Sequence, residues 1–156
     1  MLSTAYRMKH KGSCFEYEEQ RNNDLMRAYR QQVNSCSLID KSIYQRIVDM
    51  PSCRFWVSEE RAKVVISAMM RGVPIHQIVK RPTSQEMFTE IHANVISLRE
   101  LHPHLTLPDL VFMACSMPAS KFFMTPLSAL VIISRIKRKA RKSRNQQQPN
   151  SSNLIS

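Results

Sequence analysis

Met50-Pro51-Ser52-Cys53-Arg54-Phe55-Trp56-Val57-Ser58 returns 67 positions later as Met117-Pro118-Ala119-Ser120-Lys121-Phe122-Phe123-Met124-Thr125. The correspondence runs on downstream, with Ala62-Lys63-Val64-Val65-Ile66-Ser67 over Ala129-Leu130-Val131-Ile132-Ile133-Ser134 and Arg71 over Arg138. Upstream, Asp24-Leu25-Met26, Tyr29, Val33 and Ser35 lie over Glu86-Met87-Phe88, Ile91, Val95 and Ser97 at an offset of 62, so an insertion falls around His102 to Leu105. A fixed period of this kind marks one supersecondary unit used in tandem. Function is therefore sought in what differs between the copies.

Each copy reads as three helices. In the first, Asn22 or Asn23 can cap a helix over 24–35 whose stripe is Leu25, Met26, Tyr29 and Val33. Ile43, Ile47 and Met50 mark a second helix that Pro51 ends. Ser58 caps a third, Glu59 and Glu60 sit in its first turn, and Gly72 stops it after the buried-face spacing Ala62, Val65, Ile66, Met69. The second copy repeats the devices. Met87, Phe88, Ile91 and Val95 form its first helix, Thr106 or Leu107 opens the second, and Thr125-Pro126 opens the third over Ala129, Ile132, Ile133 and Ile136.

The expected fold class is all-α: two tandem trihelical, helix-turn-helix-like repeats followed by a basic, disordered C-terminal tail. The divisions are an N-terminal segment 1–22, repeat one 23–72, a linker 73–85, repeat two 86–139 and a tail 140–156. Two glycines in 156 residues leave little for hairpins or a phosphate-cradling loop, which agrees with helices. The apolar run Ala129 to Ile133 is too short to span a bilayer, and Met1 to Cys14 lacks the apolar segment of a secretory signal. No membrane association and a cytoplasmic location are expected.

The net charge of +11 is unevenly placed, because residues 110–156 carry eight cations and no acid. Arg135, Lys137, Arg138, Lys139, Arg141, Lys142 and Arg144 form a dense run, which attracts a polyanion by neutralising phosphates and releasing counterions. In a helix-turn-helix the third helix enters the major groove. Its exposed face here would carry Arg61, Lys63, Ser67 and Arg71 in copy one and Ser128, Ser134, Arg135 and Arg138 in copy two, with Arg54 and Lys121 in the preceding connectors. The expected partner is nucleic acid, duplex DNA first, since no motif selects RNA. Glu59 and Glu60 repel phosphate, so copy two with the tail is read as the DNA-binding half and copy one as the half for packing, a protein partner or self-association.

Other constellations are weaker. The aromatic pairs Phe55-Trp56 and Phe122-Phe123 could stack on bases, but one ring of each is expected to fill a small core. Cys14, Cys36, Cys53 and Cys115 contain no CxxC pair and no histidine at zinc-finger spacing, and His102 and His104 lack further ligands, so no metal or cofactor is expected. There is no HExxH, GxSxG or Gly-rich phosphate loop, which argues against an enzyme. The competing reading is a helical interaction or assembly subunit whose basic tail touches nucleic acid non-specifically, with Met69-Met70 as an adaptable partner surface.

The blocks MPSCRFWVSEERAKVVISAMMRG, RPTSQEMFTEI and MPASKFFMTPLSA resemble a group of small proteins of Bacteroides-type bacteria found in or near phage and other mobile elements. The resemblance covers roughly residues 20–138. It implies no catalytic residue or ligand, and favours a bacterial, cytosolic, nucleic-acid-associated role. The tandem trihelical form is also similar to the Myb type, whose regularly spaced tryptophans are absent here.

Overall fold

A computed structural model describes residues 2–35 and 40–147, with side chains from Tyr17 onward. The described residues are all-α: α1 spans Leu2–Ser35, α2 Ile43–Val48, α3 Glu59–Met70, α4 Ile75–Ile78, α5 Pro82–Leu101, α6 Leu107–Ser116 and α7 Pro126–Gln147. Helix starts follow local chemistry. The Ser58 hydroxyl accepts from the Arg61 N–H, Thr106 from Asp109 and Thr125 from Ser128, each satisfying a donor that the first turn leaves open. Gly72, at φ 89°, closes α3 in the left-handed region that glycine reaches without strain.

Three boundaries differ from expectation. α1 begins far upstream of Asp24, because the polar stretch before it holds no proline and needs no apolar stripe to be helical. α5 begins at Pro82, so the linker becomes 71–81 and contains α4. α7 continues to Gln147: residues 140–147, expected to be disordered, are rich in Arg, Lys, Ala and Gln, all good helix formers. The remainder of the expected tail, 148–156, lies outside the described residues.

The helices do not group in chain order. α3 packs on α4, α5 and α6, α7 packs on α1 and α2, and no helix packing joins α2 to α3 or α6 to α7. One core sets Phe55, Ala62, Val65 and Ile66 against Phe88, Ile91, Val95, Leu110, Val111, Ala114 and Cys115. The other sets Leu25, Ala28, Ile43, Ile47 and Val48 against Phe122, Ala129 and Ile133. The expected trihelical units of 23–72 and 86–139 are thus corrected: each three-helix cluster draws its third helix from the other half. Met69 and Met70 are half-buried against the first core.

The chain crosses over in the two connectors. Ser52 and Ala119 exchange both backbone hydrogen bonds at 3.0 Å. Beyond that bridge the Phe55 N–H donates to the Cys115 carbonyl and the Phe122 N–H to the Val48 carbonyl, each at 3.0 Å. Every pair keeps the offset of 67: Ser52 with Ala119, Phe55 with Phe122, Val48 with Cys115. Reciprocal contacts between equivalent residues are what a local twofold axis through the Ser52–Ala119 bridge requires. Truncating either buried phenylalanine would cost roughly 3–5 kcal/mol, by the transfer energy forgone and the cavity left behind.

Candidate nucleic-acid interface

Two carboxylates fix the connectors that aim α3 and α7. Asp24, buried on α1, accepts from the Cys53 N–H (2.9 Å), the Cys53 thiol (3.1 Å), the Ser52 hydroxyl (2.9 Å) and the Trp56 indole N–H (3.1 Å), and pairs with Arg27 at 2.7 Å. Burial alone would raise its pKa. The donors around it, led by the Cys53 N–H and thiol with Arg27 and Ser52, outweigh that and hold it below the usual value. The same bond to Asp24, with burial, raises the Cys53 thiol, so Cys53 is a donor rather than a thiolate. On the other half Glu90 of α5 accepts from the Ser120 N–H (3.0 Å) and hydroxyl (2.6 Å), Ser120 being the equivalent of Cys53. Sequence reading missed the connector-binding roles of Asp24 and Glu90. Each looks like an ordinary helical acid, and only the tertiary fold brings its connector to it.

The candidate cations fall into three groups. Arg54, Lys121 and Lys137 are committed internally. Arg54 lies over the Tyr17 ring at 4.4 Å and the Trp56 ring at 5.6 Å. Lys121 pairs with Glu86 at 2.8 Å, which raises its pKa, and Lys137 donates to the Tyr29 hydroxyl with its ammonium 4.1 Å from the ring centroid. A second group lies on α3. Lys63 and Arg71 flank a shallow groove with Val64 and Ser67 and with Leu107 and Pro108 at the start of α6, while Arg61 is exposed with its guanidinium 5.9 Å from the Phe88 ring.

The third group is on α7. Ser128 is exposed in the first turn, its hydroxyl 2.9 Å from that of Thr125, and Ser134 is half-buried. Arg135 and Lys139 line a groove of about 590 Å³ against α1, facing Arg21, Asn22 and Asn23 but also Glu18 and Glu19, whose carboxylates partly offset them. Beyond Lys137 every residue to Gln147 is exposed. Arg138, Lys139, Arg141, Lys142 and Arg144 therefore project on a helix that has left its core, and no described carboxylate forms an ion pair with them. At 100° per residue the five cations fan over one arc of about 220°, from Arg144 and Arg141 through Arg138 and Lys142 to Lys139. The charge covers more than half of the helix circumference and leaves Ala140, Ser143 and Gln147 on the remaining face.

Phe55 and Phe122 are core residues, one in each cluster, as the size argument requires. Trp56 and Phe123 are half-buried; Phe123, at φ 55°, stacks on Phe55 at 6.0 Å across the crossover. Cys115 is buried, which pushes its thiol up to about 11, and no cluster of metal-ligating side chains occurs among the described residues. Cys36 and the side chain of Cys14 lie outside the described residues. No described helix is long and apolar enough to cross a membrane. No family model, no curated protein and no solved structure matches this chain.

Proposed function

We propose that this chain is a non-catalytic DNA-binding protein of the cytoplasm, built on a duplicated helical sequence unit whose third helices are exchanged between the halves, and acting as a regulator or accessory factor of a phage or mobile element. One observation carries the reading. The last ten residues of α7 continue as a helix exposed on all sides, with five cations and no acid. A helix lying in the major groove has a phosphate strand on each wall, so cations fanned over more than half of its circumference reach both walls where a narrow stripe would reach one. Ten residues at 1.5 Å rise give roughly 15 Å of contact.

The test is a titration of the full chain against duplex DNA, single-stranded DNA and RNA over a salt series, repeated after deletion of 138–156. The deletion spares every buried residue of α7. It should weaken binding to all duplexes and flatten the log–log salt slope by about 0.9 for each phosphate no longer neutralised. No salt-dependent affinity for any nucleic acid at low ionic strength would overturn the proposal. That outcome would favour an assembly subunit, which the exposed Leu101, Phe112 and Leu127 support.

A further inference from the structure

The two third helices share more than a core stripe. Val64 and Ser67 of α3 and Arg71, its C-cap, recur as Val131, Ser134 and Arg138 of α7, and the spacing i, i+3, i+7 puts each set on one helix face. That face is turned outward: Val64 is 67% and Val131 38% exposed, both arginines are exposed, and both serines are half-exposed at its edge. Core residues repeat because both cores need the same shapes. An exposed valine has no core to satisfy. Its neighbours outside the core diverge freely, as Glu60 to Leu127, Arg61 to Ser128 and Lys63 to Leu130. Repetition confined to the Val–Ser–Arg face points to a contact outside the molecule that both copies make.

The chemistry of the face suits base edges: a branched methyl for the thymine methyl, a hydroxyl that donates or accepts, and a guanidinium for guanine or phosphate. The helix crossover supplies the arrangement. Because equivalent residues contact reciprocally about the Ser52–Ala119 bridge, the two faces are related by a local twofold axis within a single chain. Duplex DNA has twofold axes of its own, and a twofold reader matches an inverted repeat. The acid expected to repel DNA at the start of α3 is partly withdrawn, since Glu59 accepts from the Tyr17 hydroxyl at 3.0 Å.

Resting on the DNA-binding reading, we infer that one chain takes both arms of an inverted-repeat duplex site, α3 reading one arm and α7 the other. The α7 arm dominates, because only α7 continues into the free cationic segment. The test is selection of the full-length chain from a randomised duplex pool, followed by sedimentation of the selected complex. Two inverted arms bound by a single chain are expected. Arg71→Gln should reduce preference at one arm and Arg138→Gln at the other, each by about tenfold. Ser67→Ala and Ser134→Ala should repeat that division, with circular dichroism checking that each variant keeps its helices. A single arm, a direct repeat, two chains per inverted site, or salt-dependent binding with no selected sequence would overturn this inference and leave DNA binding standing. Absence of any nucleic-acid affinity would overturn both.

Discussion

Asp24 shows how one side chain can decide where a distant helix points. Its carboxylate gathers the Cys53, Ser52 and Trp56 donors, so the connector leading into α3 is pinned to α1. Replacing it with alanine removes the acceptor shared by the part-buried Cys53 N–H and indole N–H and by the buried Ser52 hydroxyl, and Asp24→Ala should lose about 3 kcal/mol in denaturant unfolding. The pH dependence has a definite sign. The folded-state pKa lies below the ordinary 3.8, so the contribution is complete above that value and disappears as pH falls through the folded one. The stability gap between the natural chain and Asp24→Asn should therefore stay constant from about pH 7 to 5 and narrow below about 4. A gap that widened on acidification would show that the network favours the neutral acid. None of this was legible in the sequence, where Asp24 looks like a first-turn acid. α1 begins so far upstream that Asp24 lies deep within it, and its partners are supplied by a connector 28 to 32 residues away.

Element boundaries were legible wherever a local device sets them. Ser58, Thr106 and Thr125 cap as their residue types require, Pro126 occupies a first-turn position, and Gly72 closes α3. Ser58→Ala and Thr125→Ala should each cost about 1 kcal/mol, read as shifts in denaturation midpoint, because each strands a first-turn N–H. Unchanged midpoints in both would mean that solvent replaces the hydroxyls at no cost. The ends of α1 and α7 were not legible for an opposite reason. A polar helix that leaves its core carries no apolar period, so nothing in its pattern separates it from a coil. In α7 the composition of 138–147 was informative about charge and silent about shape, and shape is what makes the cations a rigid array.

For the whole molecule, the repeat was visible and the pairing was not. The stripes Ala62-Val65-Ile66 and Ala129-Ile132-Ile133 are so alike that either could seat on either pair of helices, and spacing specifies a stripe without naming its partner. The structure seats each on the opposite half. Fragments 1–72 and 73–156 should consequently show no cooperative thermal transition alone. Mixed in equal amounts they should recover one, with sedimentation giving a one-to-one complex. A cooperative, monomeric transition in either fragment would show that the helices can regroup in chain order.

The crossover also sets the order in which the protein can be finished. As the chain leaves the ribosome, α1, α2 and α3 are all made before either core can close: α3 waits for α5 and α6, and α1 with α2 waits for α7. Residues paired in the second core, such as Leu25 and Ile133, are about a hundred positions apart, so its closure depends on long-range encounters and belongs to the slower side of helical folding. Until then the apolar stripe of α3 is bare and open to the wrong neighbour, including the same stripe on another nascent chain. The last described helix to be synthesised completes the core around the first.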